Sequence, residues 1–219
     1  MNSSSLFRSV LRSLMALAAA LVCSIAVAQA AAPVILIVGD SISAGYGLRP
    51  GAGWTTLLQL RLEAGHYPHR VVNASSSGDT SAGGRARLAA LLAQHRPVVS
   101  IIELGGNDGL RGGSLEALQG NLDAMVAMAQ KAGSQVLLVG MRLPPNYGPA
   151  YVQRFNATFA NVAKARKIAL VPFLFDGFGE NNAMFQPDRV HPTAAAQPKL
   201  LDNVWRELRP LLDTPGKAK

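Results

Sequence analysis

Short, mostly apolar stretches alternate along the chain with longer ones in which apolar residues recur every three or four positions. An unbroken apolar run suits a strand buried on both faces of a parallel sheet, whereas the 3.6-residue repeat marks a helix with one buried side. Val34-Ile35-Leu36-Ile37-Val38 is the clearest run and stops at Gly39-Asp40-Ser41. Further strands are expected at 70–74, 98–104, 135–139 and 168–171. Helices are expected at 54–63, with Trp54, Leu57, Leu58 and Leu62 in phase, and at 84–94, with Leu88, Leu91 and Leu92 inward. Ser114 is placed to cap a third helix, whose apolar side is Leu118, Leu122, Met125, Val126 and Met128. Two more span 151–165 and 194–212, the second with Pro198 near its start, where proline is tolerated.

Strand–helix alternation predicts an α/β fold with a parallel sheet of about five strands, covered on both faces through right-handed crossovers. Ligands of such sheets sit beyond the carboxyl ends of the strands. The unusual residues fall there: Gly39-Asp40-Ser41 after the first strand, Ser77-Gly78-Asp79 after the second, Gly105-Gly106-Asn107-Asp108 after the third.

The first 30 residues do not fit this pattern. Arg8 and Arg12 precede an uncharged apolar stretch at 14–28, and Ala28-Gln29-Ala30 supplies a small-x-small cleavage pattern. This predicts a secretory signal at 1–30, cut near Ala30, and hence a periplasmic or secreted protein. The apolar stretch is shorter than the ~20 residues a membrane-spanning helix needs. Residues 31–213 would then form one domain and 214–219 a frayed tail.

The chain has 219 residues, 49% hydrophobic and 16% charged, which excludes a disordered protein and fits one domain with a substantial core. Its single cysteine, Cys23, lies in the signal, so the mature chain needs no oxidative folding. Loss of Arg8 and Arg12 lowers the net charge from +8 to +6. Such a balance either favours anionic partners, including transient contact with a membrane surface, or reflects no more than scattered arginines, the plainer reading. The basic residues are scattered, the longest cluster being Lys164-Ala165-Arg166-Lys167, so nucleic acid is not an expected partner.

The chemistry lies in four places. Ser41, just after a buried strand, is either a helix cap or a nucleophile presented over the sheet edge, with its own amide free to bind an anion. A serine hydroxyl needs a base, and the base needs an orienting partner. Asp188-Arg189-Val190-His191-Pro192 supplies both on one loop, the aspartate three residues before the histidine. Gly78 and Asn107 are either turn residues or, together with the Ser41 amide, donors to an oxyanion. His66, His69 and His95 lack such a setting and are expected at the surface. Asp40, Asp79 and Asp108 are expected to brace loops and helix starts. Glu103, at the end of an apolar strand, is expected to be buried and hydrogen-bonded.

Gly39-Asp40-Ser41-Ile42-Ser43, Gly78, Gly105-Gly106-Asn107-Asp108 and Asp188-x-x-His191-Pro192 resemble the four blocks of the SGNH (GDSL-type) hydrolases. Residues 72–80, 103–112 and 142–148 further resemble the exported bacterial thioesterase I/lysophospholipase/arylesterase branch. The resemblance implies a flavodoxin-like three-layer αβα sandwich without metal or cofactor. It implies Ser41 as nucleophile, His191 as base and Asp188 as its orienter, with an oxyanion hole of Ser41, Gly78 and Asn107. The expected activity is hydrolysis of acyl esters and thioesters through an acyl-serine intermediate, by a protein acting as a monomer.

Tyr46, Leu110, Leu143, Pro144, Pro145 and Tyr147 flank the strand-end loops and are candidates to line an acyl groove. The 173–184 segment reads as either a lid or a long connector. The alternatives are a carbohydrate acetylesterase on the same scaffold, a non-catalytic periplasmic binding module, and a metal hydrolase using Asp40, Asp188 and His191.

Overall fold

The computed structural model describes residues 31–213; the expected signal at 1–30 and tail at 214–219 lie outside the described residues. Five strands form one sheet: β1 (Val34–Gly39), β2 (Arg70–Asn73), β3 (Val99–Glu103), β4 (Gln135–Val139) and β5 (Ala169–Val171). Every pairing is parallel and the order is β2-β1-β3-β4-β5. Ile35 lies between Val71 of β2 and Val99 of β3. This is the flavodoxin-like order, in which connections leave β1 and β3 in opposite directions and open a crevice between them.

The seven helices among the described residues are α1 (Ser41–Ala44), α2 (Trp54–Ala64), α3 (Ser81–His95), α4 (Gly106–Leu110), α5 (Leu115–Lys131), α6 (Pro149–Arg166) and α7 (Gln197–Leu212). Right-handed crossovers place α2 on one face with α7, and α3, α5 and α6 on the other. The three layers of the expected sandwich are therefore present. β1 and β3 are buried along their whole length, whereas the edge strand β2 is half-exposed. Each fully buried Val, Leu or Ile contributes ~1.5–3 kcal/mol relative to exposure, so the two central strands are the firmest ground on which to mount a site.

Element starts follow local chemistry. The helix expected from Gly84 begins at Ser81, because Thr80 Oγ1 accepts the Gly83 N–H and caps it. Ser114 caps α5 as expected, accepting from Ala117 N at 3.1 Å. α6 starts at Pro149 rather than Tyr151, with the proline in the first turn, where its missing N–H costs nothing. Residues 194–196 form a 3₁₀ turn, and the α-helix proper begins at Gln197.

The 173–184 segment is a packed connector. Leu174, Phe175 and Phe178 are buried, Phe175 contacts the rings of Phe173, Phe178 and Phe185, and Asn203 Nδ2 holds the carbonyls of Leu174 and Asp176 at 2.9 and 3.0 Å. That packing ties 174–178 to the core, while 179–183 are exposed.

Candidate active site

The residues singled out after β1, β2 and β3 meet the C-terminal loop at one edge of the sheet. Ser41 opens α1, so its amide precedes the first intrahelical acceptor and donates to no protein group among the described residues. Its hydroxyl Oγ lies 2.9 Å from His191 Nε2, across 150 positions of sequence. On the other side of the ring, Nδ1 lies 2.7 Å from Asp188 Oδ2. Asp188 Oδ1 meanwhile accepts the backbone N–H groups of Val190 and His191 at 2.9 and 3.0 Å. The loop thus closes on its own carboxylate, with Arg189 in the left-handed region at φ 56° to make the bend. Desolvation pushes the Asp188 carboxyl up. The two amides and the imidazole outweigh it and hold the group down at about 2.

The loop is also fixed from outside. Phe185 and Pro192 form an antiparallel bridge, Gln186 N donates to His191 O at 2.8 Å, and Thr193 N donates to Met184 O at 2.8 Å. Gln186 Nε2 reaches the Tyr46 carbonyl at 2.8 Å and the Pro192 carbonyl at 3.2 Å. It therefore ties the histidine loop to the loop that follows the serine. Gly47 makes room for it: a Cβ there would lie 2.1 Å from Gln186 Oε1, and φ is +72°. Sequence reasoning missed Gln186, since a glutamine in a loop carries no periodic or motif signal. It also missed Gln197, whose buried amide holds Trp54 N at 2.9 Å and Thr193 O at 3.2 Å. A glutamine on the inward face of a helix start was the available clue.

Gly78 turns at φ +78°, which glycine adopts without strain, and its N–H has no acceptor among the described residues. Asn107 comes from α4. Its Nδ2 donates to Asp79 O at 2.9 Å and to Asp40 Oδ2 at 3.2 Å, so both amide hydrogens are engaged within the protein. Asp40 Oδ1 accepts Ile42 N at 2.9 Å and caps α1. Burial pushes Asp40 up to about 6, against the Ile42 amide, the His191 charge and the Asn107 amide. Asp79 pairs with Arg87 at 2.9 Å, and Arg87 also reaches the carbonyls of Ala74 and Gly39, clamping the ends of β1 and β2 together. Asp108 accepts Ser81 N at 2.9 Å and Ser81 Oγ at 2.6 Å. All three aspartates thus brace the loops and helix starts.

The groove candidates divide. Tyr46 is 54% exposed and its ring leans on His191, centroids 4.5 Å apart. Pro144 and Pro145 are exposed, and Tyr147 donates its hydroxyl to Leu110 O at 2.9 Å, so the 110 and 147 loops are docked together. Leu143 is buried, packed near Phe155 and Gly109. His66 is exposed, but His69 and His95 are half-buried rather than on the open surface. Burial pushes His69 down, and its Nδ1 has no partner. No cluster of three or more metal-ligating side chains occurs among the described residues. Both His191 nitrogens face protein groups, leaving neither for a metal shared with Asp40 and Asp188. No described helix is long and apolar enough to cross a membrane.

A hydroxyl, an imidazole and a carboxylate in line at the crevice of a 2-1-3-4-5 sheet define the site of a serine hydrolase. The chain belongs to the GDSL-like Lipase/Acylhydrolase family, whose model matches residues 37–197. It is 56% identical to Esterase TesA of Pseudomonas aeruginosa over 184 residues, covering 84% of this chain and 92% of that one. It is 41% identical to Thioesterase 1/protease 1/lysophospholipase L1 of Escherichia coli over 184 residues, covering 84% and 87%. The crystal structure of TesA superposes with a TM-score of 0.80 at 55% identity, covering 81% of this chain and 99% of that one.

Proposed function

We propose that the protein is an exported serine esterase that hydrolyses carboxylic esters and thioesters of acyl chains through an acyl-Ser41 intermediate. The observation that carries this reading is the unbroken chain Asp188–His191–Ser41, with contacts of 2.7 and 2.9 Å. Ser41 Oγ attacks the substrate carbonyl carbon as His191 Nε2 takes its proton, while Asp188 accepts the Nδ1–H and stabilises the imidazolium. The oxyanion is met by the Ser41 and Gly78 amides and by Asn107, which turns to it the hydrogen now held by the longer bond to Asp40. His191 then protonates the leaving alcohol or thiol, and later takes a proton from the water that releases the acid. Tyr46 and the docked 110 and 147 loops flank the path of the acyl chain. The names of the two relatives support ester and thioester substrates. The apolar 14–28 run supports a periplasmic or secreted location after cleavage near Ala30.

The test is a panel of p-nitrophenyl esters from short to long acyl chains, with an acyl-thioester and a lysophospholipid, on wild type and Ser41→Ala. Turnover of esters and thioesters by the wild type, together with loss of organophosphorus labelling in the variant, is expected. Labelling retained by Ser41→Ala removes the serine from its role. Turnover confined to acetyl esters points to an acetylesterase instead.

A further inference from the structure

Glu103 ends the central strand β3 with no exposed surface, opposite Gly39 in the β1 register. Its Oε2 accepts Ser43 Oγ at 2.7 Å and the Asp40 backbone N–H at 3.3 Å. Its Oε1 is buried with no partner. Gly39 is part of the same unit, since a Cβ there would lie 2.8 Å from both Glu103 Oε2 and Ser43 Oγ. Gly39, Asp40 and Ser43 flank Ser41 on both sides, so Glu103 grips the turn that presents the nucleophile.

A charged carboxylate does not suit this position. Half of its charge would rest on Oε1, which has no donor, and a buried unpaired charge is among the costliest groups in a protein. It would also face Asp40, whose own oxygens are committed to Ile42 N and to Asn107. A neutral acid keeps the acceptor that Ser43 and Asp40 N–H require.

We propose, on the reading of Ser41 as nucleophile, that Glu103 is a positioning residue that works as the neutral carboxylic acid. It holds the first turn of α1 through Ser43 and the Asp40 amide, and leaves Asp40 as the single negative charge behind the site. Burial first, and then the neighbouring Asp40 charge, push Glu103 well above the usual carboxylate range, in agreement with that geometry. Asp40 is the charged group that faces it; His191 and Asp79 act in turn on Asp40.

The experiment compares Glu103→Gln with Glu103→Leu in the mature enzyme. Glutamine reproduces the neutral acid, with an acceptor on Oε1 for Ser43 and Asp40, and is expected to keep kcat/KM within about threefold of wild type. Leucine removes the acceptor and is expected to lower kcat by about tenfold or more with KM nearly unchanged, because the turn and not the acyl contacts is disturbed. Infrared spectra at pH 8, above the Asp40 ionisation at about 6, should show a protonated-carboxyl stretch in wild type that is missing from Glu103→Gln. Glutamine as damaging as leucine, or no such band in the wild type, overturns the proposal. If the leucine variant does not fold, the glutamine kinetics and the spectrum still decide. The spectrum is independent of turnover, so a wild type inactive on every ester would defeat the esterase reading without deciding this one.

Discussion

Gln186 Nε2 donates to the carbonyl of Tyr46, 140 positions earlier in the chain, and so sets the spacing between the histidine loop and the serine loop. The same nitrogen bonds Pro192 O, one residue beyond His191. Misplacing a reacting group by ~1 Å costs on the order of 10²-fold in rate. Gln186→Ala is therefore expected to lower kcat by about ten- to a hundredfold with little change in KM, read by steady-state ester hydrolysis. An unchanged kcat would mean that the bridge at Phe185 and Pro192 holds the loop by itself.

Gly47→Ala attacks the same strut from the other side. The new methyl meets Gln186 Oε1, and the backbone at φ +72° strains any side chain. Both stability and kcat should fall, by on the order of 1–3 kcal/mol in stability. Thermal melting beside the kinetics measures this, and a wild-type melting temperature would refute it.

His191→Ala is expected to cost more turnover than Asp188→Asn, because the base reacts whereas the carboxylate orients. With Asp188 held at about 2, its carboxylate remains ionised through the whole working range. A histidine base works only while neutral. Asp188 should thus add no ionisation to the acid limb of kcat/KM above pH ~4, whereas Asp40, at about 6, falls inside that limb. In Asp40→Asn, a two-proton acid limb over that range would contradict this arrangement.

Asn107→Ala removes the tie between Asp40 and Asp79 O and, on the proposed reading, an oxyanion donor. The expected loss in kcat is ~10²–10³. Asn107→Asp should be at least as damaging, since a second carboxylate would face Asp40. Titration with a phosphonate probe separates lost active sites from slowed ones.

Asp40 couples the site to stability. Raised from 3.8 to about 6, it keeps a proton in the folded state that the unfolded chain has already released across that interval. Stability from this group therefore falls as pH rises through that window, by up to roughly 3 kcal/mol. Asp188, lowered to about 2, acts in the opposite sense, and only below its ordinary value of 3.8. Melting of wild type and Asp40→Asn across pH 4–7 reads this out. The stability advantage of wild type should shrink with rising pH, and a constant difference would speak against it.

The sheet was legible because buried parallel strands are written as apolar runs: the 135–139 strand matches β4 at both ends, and 34–38 misses only Gly39 of β1. The meeting of Ser41, Asp188 and His191 was legible because the chemistry proposed for them needs serine, histidine and a spaced aspartate as chemical types, whatever surrounds them. Helix starts were less so. Thr80 was a capping residue in plain view, but the glycines at 83 and 84 weaken the helical signal just where α3 begins. The burial of Leu143 was not legible, because its position beside a strand-end loop does not tell an inward from an outward side chain. Gln186 draws its importance from Tyr46, far away in sequence, and nothing nearby announces it; Gln197 holds the equally distant Trp54, and only its inward place at a helix start hinted at that.

The β2-β1-β3-β4-β5 order has a consequence for biosynthesis. Ser41 follows the first strand to be made, and the imidazole 2.9 Å from its hydroxyl comes only after the last. Until the loop after β5 has been made, Ser41 therefore lacks the imidazole that the proposed chemistry needs.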